Sequence, residues 1–305
     1  MVGYQEKEQE AYTRRSKGQK KASQYILIQA GADTERENVE MGLKDKKLFL
    51  LDMDGTLYID DRLLSGTAEF LQGIKDRGGQ YIFMTNNSSK GVCDYVDKLS
   101  RMGVTAKPEE FLTSADASAE LLEDRKREKI YVMGTGSFKD YMRTFGFNVT
   151  EEAEDDVEIV LCGFDRELTY KKLKDVCKLL SQGSRSYFAT NPDWVCPADF
   201  GYVPDCGSMC WMIEKATCRW PVFIGKPEPK MALMAMKRTG FTCRETVVIG
   251  DRLYTDIACG INAGTDTCFV LSGEGTEADI EKTGIRPTYV FRDIEELHRR
   301  IKDET

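Results

Sequence analysis

The sequence contains a single histidine, His298, among its 305 residues. Ser-His-Asp and Cys-His catalysis both need a histidine as the base, so both are excluded unless His298 itself serves. His298 lies in the charged stretch "EELHRR", which predicts a solvated residue on a helix. The chemistry of this chain therefore rests on carboxylates, hydroxyls, amides and lysines.

Paired cysteines are also missing. None of the ten cysteines forms a Cys-x-x-Cys pair, and the closest spacing is that of Cys206 and Cys210. A structural zinc site usually takes paired Cys and His ligands at short spacing, so zinc is not expected. Scattered cysteines in a cytosolic chain are mostly small buried apolar residues, which is how we interpret these.

The sequence lacks an excess of positive charge and long apolar runs. Its 43 Lys and Arg residues stand against 51 Asp and Glu residues, a net charge of −8. Nucleic-acid binding draws on clustered positive charge, so a nucleic-acid polymer is not the expected partner. No apolar run approaches the roughly 20 residues of a membrane helix, and the N-terminus has no apolar signal-peptide core. We expect a cytoplasmic protein without a membrane segment.

Residues 1–40 differ in composition from the remainder. They carry seven acidic and seven basic residues with one short apolar patch, "YILI", and no sustained periodicity. Such a segment cannot bury enough apolar surface to fold alone. We predict a disordered or loosely attached tail, with the folded unit beginning near Met41.

From Lys47 onward, apolar strands alternate with amphipathic helices. "KLFLLDM" and "QYIFMT" are continuous apolar runs typical of strands buried on both faces. "GTAEFLQGIKDRGG" and "VCDYVDKLSRMG" place their apolar residues on one helical face. This alternation predicts an α/β fold with a doubly wound parallel sheet.

The same alternation returns near the C-terminus, with predicted strands in "VFIGKPEP", "TVVIGD", "DTCFVLSG" and "TYVF" and helices near 229–239 and 256–263. The segment between has its own strands and a helix near 169–182, and its Pro, Gly and Asp-rich end predicts a long loop. We therefore expect a split core of residues 41–127 and 219–305, with residues 128–218 as an inserted α/β cap.

Carboxylates follow two of the predicted strands. Asp52 and Asp54 come where the first strand ends, and Asp251 directly follows "VVIG" with Asp256 five residues later. Ligands of doubly wound sheets bind beyond the carboxyl ends of the strands, so these side chains are expected to converge. An oxygen-only donor set suits a hard cation such as Mg²⁺, which would relieve their repulsion.

Two further strand ends carry complementary groups. "MTNNSS" ends its strand in hydroxyl and amide donors, among them Thr85 and Asn86, that suit phosphate oxygens. "GKPEP" holds Lys226 in a turn after a strand, where a compact positive charge can face the acidic cluster. A hydroxyl-rich turn and a solvated lysine are the alternative interpretations.

The four segments resemble the signature motifs of the haloacid dehalogenase superfamily of phosphatases: "DMDGTL", "TNN", "GKP" and "GDRLYTD", in that order. The wording "TNNSS" and the large insert between the second and third motifs resemble the NagD-like, or p-nitrophenyl phosphatase, family. The resemblance covers about residues 45–300. It implies a Rossmann-like core with a cap, and a Mg²⁺-dependent phosphatase acting on small phosphate monoesters.

The resemblance also implies roles for the acidic residues. Asp52 would attack phosphorus to form an aspartyl-phosphate, and Asp54 would act as the acid and then the base. Mg²⁺ would be bound by the Asp52 side chain, the Asp54 backbone carbonyl and Asp251, with Asp256 supporting these ligands from behind.

The remaining roles implied by the resemblance concern the phosphate and the substrate. Thr85 and Asn86 would orient the transferring oxygens, Lys226 would offset negative charge, and Gly55 would let the backbone turn beside the phosphate. "NPDWVCP", residues 191–197, resembles a substrate-specificity loop, in which Asn191 and Asp193 match positions that commonly face the active site.

The substrate class stays open at this point. Small sugar or polyol phosphates and nucleoside monophosphates are both consistent with the motifs, and the partner is a small phosphorylated metabolite. Two alternatives remain: a phosphotransferase or mutase using the same aspartyl-phosphate, and a phospho-accepting regulatory domain without turnover. Caps of this type often mediate dimers in similar proteins, so a homodimer through the cap is a further expectation.

Overall fold

Parallel strands joined by helices dominate the chain, as the alternating pattern predicts. The structure, a computed structural model, describes residues 42–198 and 200–303. The predicted tail, residues 1–40, lies outside the described residues. The strands, in chain order, are β1 (Leu48–Leu51), β2 (Tyr58–Ile59), β3 (Arg62–Leu63), β4 (Gln80–Thr85), β5 (Phe111–Thr113), β6 (Lys129–Met133), β7 (Asn148–Thr150), β8 (Ile159–Cys162), β9 (Ser186–Ala189), β10 (Val195–Ala198), β11 (Gly201–Pro204), β12 (Val222–Phe223), β13 (Thr246–Gly250), β14 (Asp266–Val270) and β15 (Tyr289–Phe291).

Most of the α-helices lie where the periodicity of apolar residues predicts them. In chain order they are α1 (Thr67–Asp76), α2 (Val92–Arg101), α3 (Ser114–Leu121), α4 (Gly136–Thr144), α5 (Tyr170–Ser181), α6 (Cys206–Thr217), α7 (Lys230–Thr239), α8 (Ala258–Ala263), α9 (Glu277–Thr283) and α10 (Ile294–Asp303). A π-helical turn, Leu253–Ile257, leads into α8. No helix within 42–198 or 200–303 is long and apolar enough to cross a membrane.

The first sheet has six strands, all parallel, in the order β15-β14-β13-β1-β4-β5. Its central strand β1 is buried along its whole length. Leu48 and Leu50 pack into one apolar cluster, and Phe49 and Leu51 pack into a second. The sheet is therefore covered on both faces, which confirms the prediction from the continuous apolar run.

The second sheet is built from the segment between the two parts of the first. Its five strands, also parallel, have the order β12-β9-β8-β6-β7. The prediction that Val222 and Phe223 belong to the core sheet is wrong, because both pair with β9 at the edge of the second sheet. That sheet therefore extends a few residues beyond the predicted insert, 128–218, and the division into core and cap stays a prediction.

The run that was predicted as a long loop contains a hairpin. β10 and β11 pair antiparallel through four residue pairs, from Val195 with Pro204 to Ala198 with Gly201. Prolines normally interrupt sheets, but a two-stranded hairpin leaves one side of each strand unpaired, where a missing N–H costs little. For this reason the Pro-rich composition predicts a loop where the chain forms a hairpin.

The single histidine is buried, so its prediction as a solvated residue is wrong. His298 is 8% exposed, and its ring meets Phe70 of α1 edge-on at 6.1 Å between centroids. Nε2 is buried without a hydrogen-bond partner among the described residues. Burial first, and then the charges of Lys302 and Arg77, lower the pKa of His298. The fold therefore favours the neutral imidazole.

His298→Phe tests this burial. Because the pKa of His298 is lowered in the folded state, the unfolded chain takes up a proton more readily once the pH falls below about 6.5. Wild type should then lose stability relative to the Phe variant. Thermal melts of both proteins near pH 8 and near pH 5.5 should show the variant gaining on wild type at the lower pH. An identical difference at both pH values would contradict the buried neutral ring.

Candidate active site

Three carboxylates meet at the carboxyl ends of β1 and β13, the two central strands. Asp52 follows β1, Asp251 follows β13, and Asp256 lies in the π-helical turn after it. One oxygen of each lies within 4.8 Å of the others. The Asp52 backbone N–H donates to the Ile249 carbonyl at 2.9 Å, which keeps the strands in register up to the site. The predicted convergence of acidic side chains is present.

Lys226 lies among these carboxylates. Its Nζ donates to Asp52 Oδ1 at 2.6 Å, to Asp256 Oδ1 at 2.6 Å and to the Met84 carbonyl at 3.0 Å. An ammonium group has three hydrogens, so every one is used. The side chain is 2% exposed, and its two carboxylate partners raise the pKa of Lys226 against the opposing effect of burial. Lys226 is therefore a fixed positive charge.

The three carboxyl groups have raised pKa values, first because of burial and then because they lie close to one another. Burial raises the pKa of Asp52 to about 6, an effect that Lys226 opposes and Asp251 reinforces. Burial and Asp52 raise the pKa of Asp256 to about 6, and burial and Asp256 raise that of Asp251 to about 7. The folded protein thus favours the protonated form of each group. A bound cation would instead favour the ionised form.

Asp251 has one carboxylate oxygen that could bind a cation. Its Oδ2 accepts from the Glu274 backbone N–H at 2.7 Å, whereas its buried Oδ1 has no partner in the described part of the chain. A Cβ at Gly55 would lie 2.6 Å from Oδ2, and Gly55 has φ +88°, so only glycine fits this approach. An unpaired oxygen in an all-oxygen donor set fits a hard divalent cation.

Asp54 is set apart from the three carboxylates. Its side chain is 51% exposed, accepts from the Tyr58 hydroxyl at 3.1 Å and lies 3.5 Å from Lys98 Nζ. The resemblance predicts only its backbone carbonyl as a metal ligand, and its carboxylate is not among the three that converge. Asp52 and Asp54 therefore occupy different surroundings: the Asp52 side chain, 15% exposed, lies beside an ammonium, whereas the Asp54 side chain is largely exposed.

The amide of Asn86 is used within the protein. Its Oδ1 accepts from the Lys226 backbone N–H at 2.8 Å, while Nδ2 donates to the Lys226 carbonyl at 2.9 Å and to Asp193 Oδ2 at 2.7 Å. Both amide hydrogens are thus occupied, so this side chain has no donor left for a phosphate, contrary to its predicted role. Thr85, also predicted to hold phosphate, is buried, and its Oγ1 accepts from the Asn87 N–H at 3.1 Å.

The two predicted specificity residues are also engaged internally. Asn191 is fully buried: its Nδ2 donates to Asp193 at 2.7 Å and Asp205 at 3.1 Å, and its Oδ1 accepts from Thr190. Asp193 is 2% exposed. The structure brings both residues to the site but buries them, and their side chains bond within the protein and do not face a substrate.

Arg252 is the site residue that the sequence motifs did not single out. Its Nη1 donates a hydrogen bond to Asp193 at 3.2 Å, and its Nε forms an ion pair with Glu274 at 2.8 Å without hydrogen-bond geometry. The backbone N–H of Arg252 donates to Asp256 Oδ2 at 3.1 Å. The available signal was its place inside "GDRLYTD", between two predicted acidic site residues, but a charge in a motif does not reveal its partners.

The chain matches two known sequence families. The family described as haloacid dehalogenase-like hydrolase matches residues 49–148, and the one described as HAD-hydrolase-like matches residues 223–297. Together these matches contain Asp52, Thr85, Lys226, Asp251 and Asp256. The residues that form the charged cluster therefore fall within family-matched sequence.

Named relatives cover most of the chain. An acid sugar phosphatase of Staphylococcus aureus is 32% identical over 255 residues, 83% of this chain and 97% of that protein. A 4-nitrophenylphosphatase of Thermotoga maritima is 40% identical with a TM-score of 0.80, covering 85% of this chain and 98% of that one. A glycerol phosphate phosphatase of Mycobacterium tuberculosis, solved with magnesium, is 28% identical with a TM-score of 0.78, covering 85% and 78%.

Cation binding should stabilise this site in a pH-dependent way. Because the pKa values of the three carboxyls are raised in the folded state, their contribution to stability is present at low pH and lost as the pH rises through about 6 to 7. A divalent cation replaces the lost protons, so Mg²⁺ should raise the melting temperature more near pH 8 than near pH 5. A cation at a hundred times its Kd stabilises by about 2.7 kcal/mol.

Matched variants identify the ligands in the same melts. Asp251→Asn should remove most of the Mg²⁺-induced shift near pH 8, whereas Asp61→Asn, in the exposed turn between β2 and β3, should keep it. Equal shifts at both pH values, or a full shift in Asp251→Asn, would show that the cation does not bind among these carboxylates.

Proposed function

The chain belongs to the haloacid dehalogenase-like hydrolases, in the p-nitrophenyl phosphatase or NagD-like branch, and on that premise we propose that it hydrolyses sugar or polyol phosphates through an aspartyl-phosphate on Asp52. It is a phosphoric monoester hydrolase acting on small phosphate monoesters. The observation that carries the proposal is the position of Lys226 Nζ, 2.6 Å from both Asp52 and Asp256 beside Asp251.

In the first step, an Asp52 oxygen forms a bond to phosphorus as the ester P–O bond breaks. Lys226 holds Oδ1, so we assign the attack to Oδ2. We assign the proton that the leaving oxygen takes up to Asp54, whose carboxyl is 51% exposed. Fixed positive charge beside the nucleophile favours a transition state in which negative charge spreads over the phosphoryl oxygens.

In the second step, water attacks the phosphorus of the aspartyl-phosphate and the P–O bond to Asp52 breaks. Asp54, now a carboxylate, takes the proton from that water, which restores both residues and releases inorganic phosphate. Thr85 lies at the end of β4, beside the Met84 carbonyl that accepts from Lys226. We place the phosphate between Thr85, Gly55 and Asp52, with only the backbone of Asn86 contributing.

Phosphatases of this family generally use a divalent metal, and the donor set here fits one. We propose Mg²⁺ held by the carboxylates of Asp52 and Asp251 and the backbone carbonyl of Asp54, with Asp256 behind them. The unpaired Asp251 Oδ1 and the absence of nitrogen or sulfur ligands from the cluster support this choice. When bound, the cation would neutralise negative charge between the carboxylates and the phosphate.

The substrate class rests on the relatives and on the second sheet. The relatives include an acid sugar phosphatase and a glycerol phosphate phosphatase, which favours a sugar or polyol phosphate over a nucleoside monophosphate. We propose that the second sheet, predicted as the cap over residues 128–218, covers the site and selects the leaving group. A cytoplasmic location and a homodimer through the cap remain predictions.

A panel of phosphate monoesters tests the function. Glycerol phosphate, hexose phosphates, nucleoside monophosphates and p-nitrophenyl phosphate are assayed with Mg²⁺ and with chelator. Inorganic phosphate should be released only with the metal, with sugar or polyol phosphates preferred. Asp52→Asn should lose about 10⁴-fold or more in kcat, because the nucleophile is gone. An excess of an alcohol acceptor separates hydrolysis from transfer. Near-normal turnover in a folded, metal-binding Asp52→Asn protein would contradict the covalent route.

A further inference from the structure

Asp193, in the loop after β9, is buried and bonds to residues of the segments that build the first sheet. We call these contacts the Asp193 joint. Its Oδ2 accepts from Asn86 and from Asn191, both at 2.7 Å, and its Oδ1 accepts from Arg252 at 3.2 Å. Asn86 and Arg252 come from the segments that build the first sheet. Both carboxylate oxygens are therefore filled, and 2% exposure leaves no surface for a substrate.

One series of contacts runs from this joint to Asp52, the proposed nucleophile. The Asn86 amide that binds Asp193 also brackets the Lys226 backbone, bonding its N–H and its carbonyl. Lys226 in turn holds Asp52 Oδ1. A Cβ at Gly225 would lie 2.5 Å from Asn86 Oδ1, so a glycine is required for this close fit. The orientation of Asn86 thus sets where the Lys226 ammonium sits.

A second series of contacts runs from the joint to Asp251 and Asp256. Arg252 reaches from Asp193 to Glu274, whose backbone N–H donates to Asp251 Oδ2 at 2.7 Å. The backbone N–H of Arg252 donates to Asp256 Oδ2. A shift of the Arg252 side chain therefore bears on the segments that hold both acidic residues of the β13 end. Asp193 is the point where the two series of contacts meet.

We propose that Asp193 is a positioning residue for the reaction: by holding Asn86 and Arg252 together, it seats the cap loop and fixes Lys226 against Asp52. This inference rests on the proposed function and changes the role first expected for Asp193, which was contact with the substrate. It means that the chemical step, and not only substrate binding, depends on the loop being in place.

A positioning role and a substrate contact differ in their kinetics. Loss of a substrate contact raises KM for those leaving groups that reach the cap, whereas displacement of Lys226 lowers kcat for every phosphate monoester. In Asp193→Asn, one carboxylate oxygen becomes an NH₂ group that faces a donor, so either the amides or Arg252 lose their acceptor. The shape is kept while the joint is broken.

The experiment measures kcat and KM for Asp193→Asn, Asn86→Ala and the double variant, with glycerol phosphate and with p-nitrophenyl phosphate. Each single variant should lose about 10- to 100-fold in kcat on both substrates, the range typical of residues that orient the groups of a site. KM should change far less. Because the two residues act through one joint, the double variant should be no slower than the slower single variant.

Asp165→Asn is the matched control. Asp165 is as buried as Asp193, belongs to the same segment, and pairs with Lys172 at 2.8 Å without a link to Lys226. Its kcat should equal that of wild type. The three tryptophans of the chain also report on the loop, since Trp194, beside Asp193, meets Trp211 edge-on at 5.9 Å. Their emission should change in Asp193→Asn and not in Asp165→Asn.

Three results would overturn the inference: an unchanged kcat in Asp193→Asn, a raised KM with kcat retained, or single effects that multiply in the double variant. If Asp193→Asn does not fold, Arg252→Gln removes the other partner of the joint and should give the same loss of kcat. Arg252→Lys, which keeps the charge, should lose less kcat than Arg252→Gln. Wild-type turnover is measured alongside. Its absence would refute the proposed function, whereas its presence with normal kcat in the variants would refute this inference alone.

Discussion

The buried ammonium of Lys226 is the interaction on which the active site depends. Carboxylates from β1 and from the turn after β13 both lie 2.6 Å from its Nζ. Without that charge, the buried Asp256 and the half-buried Asp52 would lose their partner; removing one partner of a buried ion pair costs about 3–5 kcal/mol. Burial, together with the neighbouring carboxylates, raises the pKa values of Asp52 and Asp251, and a divalent cation among them would favour their ionised forms.

The fold brings these groups together because of its strand order. From β1 the chain moves to β4 and β5 on one side of the sheet, whereas β13, β14 and β15 lie on the other. The crevice at such a reversal is where ligands of doubly wound sheets bind. Asp52, the Met84 carbonyl, Lys226 and Asp251 are far apart in sequence and meet there. The loop with Asp193 then joins the segment of the second sheet to this crevice.

The sequence predicts the location of the site better than its internal contacts. Continuous apolar runs followed by carboxylates predict β1, β13 and the convergence of Asp52 and Asp251, because an apolar run is a local signal in the sequence. The motifs predict that Asn86, Asn191 and Asp193 touch ligands. Instead, Asn86 bonds Asp193 and Lys226, which are 107 and 140 residues away in sequence, and Asn191 bonds Asp193. Such long-range pairing has no local signal. The edge strand at Val222 and the burial of His298 were missed for the same reason: each depends on packing partners remote in the chain.

The central claim is that Lys226 holds Asp52 ready for attack, and a single-turnover experiment on Lys226→Met tests it most directly. With Mg²⁺ present and folding verified by near-ultraviolet circular dichroism, the first release of p-nitrophenol reports phosphorylation of Asp52. We predict a rate lower by about 10²- to 10³-fold, the loss typical when a fixed group that stabilises developing negative charge is removed. Release at the wild-type rate from folded Lys226→Met would contradict the account.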